Sequence, residues 1–202
     1  MHMRERNAAL RALLSDKLHA FPGAHAHSPG TLLKALLRQL NPLPTGLLRW
    51  WAAHPRGHVV IVSEGRGYVP GPQTAGVYAL DGVAWVGAEA VLTKEPGPLE
   101  AIAHLLDHLL GCNGEVEGPW LSEGGGVSPP WREVGARLHS LFTLGYGATK
   151  EAQTNPRAYF AWGFVLNLRD PGALNAADPR LQRLLRTTLL SEGFWRFAER
   201  QG

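Results

Sequence analysis

The sequence predicts an α+β fold: a small antiparallel sheet, a buried helix and a helical C-terminal half. Three observations carry that prediction. "GVYALDGVAWVG" places two short apolar runs on either side of Asp81-Gly82, a pair that favours a type I′ hairpin. "LEAIAHLLDHLLG", Leu99 to Gly111, is a helix that is apolar around most of its circumference, with only a narrow polar strip. After it the signals are helical to the end, and nowhere is there the β-α-β alternation that indicates a parallel sheet.

The elements follow in order. Residues 4–20 put Leu10, Leu13, Leu14 and Leu18 on one side of a helix that Phe21-Pro22-Gly23 stops. "GAHAHSPG" reads as an exposed loop. His19, His25 and His27 have the composition to catch stray metal, but a flexible loop accounts for them. Two short helices, 31–40 and 45–53, flank "NPLP". "HVVIVS", 58–63, is β-branched and reads as a strand. "GRGYVPGPQTAG" reads as a loop; its G-x-G precedes no helix, which excludes a dinucleotide site. The hairpin comes next, then the helix at about 98–110, opened by Pro96, Gly97 and Pro98 and closed by Gly111. Segment 111–129, with "SEGGGVSPP", is irregular, and loops of that length are often functional. "PPWREVGARLHSLF" is helical and "TLGYGATKEAQ" a loop. Asn155 or Thr154 can cap "NPRAYFAWGFVLNL", with Pro156 in its first turn. Helices at about 178–190 and 192–199 finish the chain. This organisation divides into a helical segment, 1–54, and a main domain, 55–202.

Composition narrows the function classes. With 202 residues, 45% hydrophobic and 18% charged, the chain is globular and not disordered. No apolar run reaches the length of a membrane span. The charged N-terminus lacks the apolar core of a secretory signal. A lone cysteine, Cys112, excludes an internal disulfide framework. These features predict a cytoplasmic protein without membrane contact. The net charge is only +3, and the basic residues are dispersed. The densest set is Arg180, Arg183 and Arg186, which read first as the solvated side of a leucine-faced helix. Charge therefore gives little support to a nucleic-acid partner.

The helix of residues 99–111 holds the chemistry-bearing side chains. At about 100° per residue, Glu100, His104, Asp107 and His108 share one face. His104 and His108 have the four-residue spacing that lets two imidazoles share a metal, but H-E-x-x-H occurs nowhere in the chain. The other reading of the strip is a hydrogen-bonded structural cluster. Tyr159, Phe160 and Phe164, at helical spacing, read as a core aromatic stripe.

"HLLDHLLG" and "TNPRAYFAWGF" together resemble the lethal factor-like zinc metallopeptidase domain of the zincin group, over residues of about 55–190. That family has a hairpin, a helix reading roughly H-E-x-x-H-x-x-D-x-x-x-G, and a second metal helix reading roughly T-N-x-x-E-[FY]-F-A-E-x-F. The first helix here supplies His104, Asp107 and Gly111; the second supplies Thr154, Asn155, Tyr159, Phe160, Ala161 and Phe164. The resemblance implies a zincin-like fold. In this register Glu100 stands at the first histidine ligand and Ala101 at the catalytic glutamate. Ala158 stands at the glutamate that would be the third ligand, and Trp162 at the glutamate after it. Asp107 and Trp162 would then back the metal positions. In the other register "HLLDH" lies on H-E-x-x-H, which makes both His104 and His108 ligands and puts Leu105 at the base. Tyr146 resembles the family's oxyanion tyrosine, across a longer loop.

A zinc peptidase needs three protein ligands, an open position for water and a carboxylate to take its proton. Alanine provides none of these. The sequence therefore predicts a catalytically inactive metallopeptidase-like protein, a pseudopeptidase, with no cofactor. It would bind a peptide or protein partner along strand "VAWVG" or its hairpin mate. Two alternatives stay open. One is a zinc endopeptidase with atypical ligands, Glu100, His104 and His108 with a loop carboxylate such as Glu123. The other is a nucleic-acid binder using the C-terminal arginines.

Overall fold

The computed structural model describes residues 3–21, 27–147 and 149–201. In chain order its elements are α1 (Met3–Leu13), β1 (Leu18–Ala20), α2 (Pro29–Leu40), α3 (Thr45–Ala53), β2 (His58–Val62), β3 (Gly67–Ala75) and β4 (Tyr78–Gly87). There follow α4 (Ala88–Thr93), α5 (Pro96–Cys112), a 3-10 turn at Leu121–Glu123, α6 (Pro129–Phe142), α7 (Lys150–Thr154), α8 (Pro156–Arg169), α9 (Pro171–Ala177), α10 (Pro179–Thr187) and α11 (Glu192–Ala198). The chain divides into two compact units, Met1–Ile102 and Ala103–Gly202, with the division inside α5.

The first unit holds the sheet, and the sheet is mixed. Its order is β1-β2-β4-β3; β1 and β4 both run parallel to β2, and β3 is antiparallel to β4. The class is α+β as the sequence predicts, but the purely antiparallel sheet is corrected. A crossover through α2 and α3 joins β1 to β2. The alternation escapes a sequence reading because β1 is only three residues long. Leu18 suits the face of a longer α1 equally well, yet α1 stops at Leu13. The buried Lys17 fixes the strand instead. Its carbonyl accepts from the Val59 N–H at 2.7 Å, and its ammonium donates to the carbonyls of His54 and Arg56. Residues 1–54 thus contribute a strand to the sheet of the segment that follows.

The predicted hairpin about Asp81-Gly82 is corrected: both of its arms lie in the one strand β4, which instead forms a hairpin with β3. β3 and β4 close at Ala75 and Tyr78 around Gly76-Val77, with Gly76 at φ 61°. Asp81-Gly82 lies inside β4, where Gly82 (φ 67°) sits opposite a bulge between Val69 and Pro72. Asp81 is held there by Arg56 at 2.9 Å, and its carbonyl accepts from the Gly57 N–H at 2.8 Å. Residues 67–75, read from sequence as a loop, form β3. Pro70 and Pro72 are compatible with a strand here because β3 is an edge. Val60, Val83, Trp85, Leu80 and Ala75 form the core on this sheet.

The second unit is helical. α8 is apolar nearly all round, and Tyr159, Phe160 and Phe164 are buried, as the aromatic stripe predicts. Asn155 caps α8, accepting from the N–H groups of Arg157 and Ala158, with Pro156 first in the helix. Asp170, Asp178 and Ser191 cap α9, α10 and α11 in the same way. α5 does not end at Gly111 but continues to Cys112. The glycine answers a different need. A Cβ there would lie 2.3 Å from the Leu121 nitrogen, so only glycine lets the 3-10 turn lie against the helix. Among the described residues no helix is long and apolar enough to cross a membrane.

Candidate functional site

The site is built on the last three turns of α5 and the irregular segment that folds back on it. Gly135 of α6 lets that segment approach: a Cβ on it would lie 2.0 Å from the Gly125 carbonyl oxygen. The turn at Leu121–Glu123 is thereby held between α5 and α6.

Asp107 is completely buried. It accepts from the backbone N–H of Ser122 at 2.7 Å and from the Ser122 hydroxyl at 2.6 Å. Burial pushes its carboxyl up to about 7, against those two hydrogen bonds. His108, also buried, places Nε2 2.9 Å from the Glu115 carbonyl oxygen, so that nitrogen carries the donated proton. Its ring stacks on Trp120 with centroids 4.7 Å apart. His104 meets the same indole edge-on at 6.1 Å. Its Nδ1 is buried without a hydrogen-bond partner among the described residues. Burial, reinforced by the charge of Arg157, lowers the His104 imidazole to about 4, so it is neutral at pH 7.

Arg157, in the first turn of α8, places its guanidinium 3.9 Å from the Trp120 ring centroid and donates from Nε to Glu123 Oε1 at 2.8 Å. The other Glu123 oxygen accepts from the Trp120 N–H at 3.0 Å. Burial raises the Glu123 carboxyl, but the Arg157 hydrogen bond and the Trp120 N–H outweigh it and hold the group below its ordinary value. Trp120 is therefore the hub. Two α5 histidines contact its ring, a cation lies over it, and its backbone anchors the carboxylate that binds that cation.

The sequence-predicted residues fare unequally. His104, Asp107 and His108 gather around Trp120 and Ser122, and Glu123 joins them through Arg157. Glu100 is exposed on the part of α5 that belongs to the first unit. Ala101 is buried, and Ala158 is half-buried with its N–H on the Asn155 cap. Trp162 is half-buried, its ring 6.1 Å from Tyr159, whose hydroxyl donates to Asp178. Tyr146 is half-exposed in the loop before α7. Sequence reasoning did not find Trp120, Ser122 or Arg157. The signals were a tryptophan inside an irregular segment already marked by its length, and an arginine beside the altered ligand position.

Among the described residues no group of three or more His, Cys, Asp or Glu is placed to hold a metal ion. The donors explain why. Both Asp107 oxygens face Ser122, both Glu123 oxygens have donors, and His108 Nε2 faces a carbonyl. These residues do not fit the three-ligand zinc centre that the resemblance implies. Compared with protein-family models, with curated proteins and with solved structures, the chain matches none.

Proposed function

We propose that this chain is a pseudopeptidase: a zincin-like, lethal factor-like scaffold without hydrolytic activity that binds a peptide or protein partner. One observation carries the reading. On the polar face of α5, Asp107 and His108 are bound to their own surroundings, and the charge of the Arg157 guanidinium already weighs on His104. A dication beside His104 would face that charge, and the carboxylates of Asp107 and Glu123 already have donors. Asp107 titrates near neutrality, but complete burial denies it any reacting atom. A cytoplasmic site of action fits the single unpaired thiol of Cys112.

The docking route differs from the one that the sequence suggests. "VAWVG" belongs to β4, which lies between β2 and β3, so Val83, Ala84 and Trp85 are paired on both sides and Val86 and Gly87 on the β2 side. Its mate β3 is an edge, but Pro70, Pro72 and the bulge interrupt the row of hydrogen-bonding groups that strand addition needs. A partner is better received on the helices.

The test has two arms. Protein loaded with zinc, desalted and measured by elemental mass spectrometry should hold far less than one zinc per chain, and it should not cleave a quenched fluorescent peptide library. The same protein on an array of immobilised casein-derived peptides should retain a subset intact. One zinc per chain, lost in His104→Ala and accompanied by cleavage, would establish the atypical-ligand endopeptidase instead.

A further inference from the structure

We propose that the groove between α6 and α10 docks an acidic amphipathic helical segment of a partner protein. The proposal rests on the peptide-binding reading above and gives it a place and a chemistry. The groove encloses about 730 Å³. Each wall is one face of a helix. Glu133, Arg137 and Leu141 recur at four-residue steps along α6, and Arg180, Arg183 and Leu184 line α10. The α6 wall from 133 to 141 extends about 12 Å, which suits roughly two turns of a docked helix.

The floor is aliphatic: Leu184 is nearly buried and Leu141 half-buried. The rim is cationic. Its three guanidiniums are exposed. Among the described residues only Arg137 has an ion-pair partner, Glu133 at 3.8 Å, and both members of that pair are largely in solvent. Arg180 and Arg183 make no ion pair among the described residues. Asp178, the nearest acid in sequence, is buried and bound to the Tyr159 hydroxyl and to the backbone N–H groups of Arg180 and Leu181. A ligand complementary to this groove presents leucine-like side chains along one stripe and carboxylates beside it. A nucleic acid fits less well. An aliphatic floor offers nothing to a sugar-phosphate backbone, and Arg186, the third arginine of the C-terminal set, does not line the groove.

The experiment uses the full chain and fluorescence anisotropy. The probe is a labelled synthetic peptide of about four helical turns, with leucines on one face and glutamates flanking them. A second probe replaces the glutamates by lysines. Wild-type protein should bind the glutamate peptide, and rising salt should weaken the complex. The double variant Arg180→Glu/Arg183→Glu should bind it at least about tenfold more weakly and gain affinity for the lysine peptide. Ala136→Trp, which fills the groove, should block both. Thermal melts of each variant establish that it is folded. Absence of binding by wild type, or equal binding of the glutamate peptide by the double variant, overturns the proposal. So does a double-stranded oligonucleotide that binds more tightly than the peptide through the same arginines. If the double variant still retains the casein-derived peptides on the array, only the groove assignment fails; if neither protein retains any peptide, the broader reading fails with it.

Discussion

Two polar regions of the second unit carry similar residue types and use them in opposite ways. Around Trp120 most polar side chains meet a partner from outside their own element: Asp107 meets Ser122, Arg157 meets Glu123, and His108 meets the Glu115 carbonyl, while His104 meets only the indole. Along the α6–α10 groove the arginines are exposed, and two of the three make no ion pair among the described residues. Binding free energy therefore remains in the second region and not in the first. A buried polar group that already has its partner contributes to folding, and it is costly to recruit for a ligand. An exposed cation beside aliphatic surface contributes almost nothing to folding, and its interaction energy is realised only when a complementary surface arrives.

If that contrast holds, substitutions in the first region should cost stability and those in the second should not. The largest effect is expected at Trp120. Trp120→Ala removes a nearly buried indole and leaves His104, His108 and Arg157 facing a void. A loss of about 3–4 kcal/mol is expected from the urea midpoint; a loss under about 1 kcal/mol would show that Trp120 is not the hub.

Asp107 comes next. Asp107→Ala strands the Ser122 N–H and hydroxyl in a dry interior, at a cost of about 2–3 kcal/mol. Its pH dependence has a sign of its own. The folded-state value is raised from 3.8 to about 7, so its contribution is complete below 3.8 and is lost as pH rises through about 7. His104 runs the other way. Its value falls from 6.5 to about 4, so its contribution is present above 6.5 and is lost as pH falls toward 4. In wild type these slopes oppose each other between pH 4 and 6.5. Asp107→Asn removes one of them, and its stability should fall more steeply on acidification, by up to about 1.4 kcal/mol per pH unit relative to wild type. Denaturation at half-unit pH steps measures it, and parallel curves would contradict the assignment. A smaller effect is expected for Arg157 and Glu123, which remain partly exposed. A double-mutant cycle with Arg157→Gln and Glu123→Gln should return a coupling of about 1 kcal/mol or less.

The same contrast explains what the sequence discloses. α2, α3, α5, α6 and α8 are legible because their apolar periodicity and their proline and asparagine starts agree. β1 and β3 are not. One is too short to show a period, and the other is disguised by two prolines that only an edge position permits. Asp81-Gly82 misleads for a related reason. A glycine with positive φ serves a bulge as well as a turn, and the choice is made by Arg56 and Gly57, remote from the dipeptide. In the site, helical spacing places His104, Asp107 and His108 on one face but says nothing of what approaches that face. Ser122, Trp120 and Arg157 arrive from a loop and another helix, and no periodicity links them to α5.

The groove arginines should matter least to stability. Arg180→Glu/Arg183→Glu reverses two charges on the exposed side of α10 and leaves the backbone of its cap and its buried leucines untouched. Asp178 still caps α10, and Leu181, Leu184 and Leu185 still face the core. Reversal places negative charge near the N-terminal end of a helix, which is mildly favourable, and the facing wall carries one charge of each sign, Glu133 and Arg137, so its net effect there is small. The net change in stability should fall within about ±0.5 kcal/mol, read from the same urea transitions. A loss of 2 kcal/mol or more would mean that the groove arginines hold the fold as the Trp120 cluster does, and the distinction between a satisfied interior and an unsatisfied binding face would collapse.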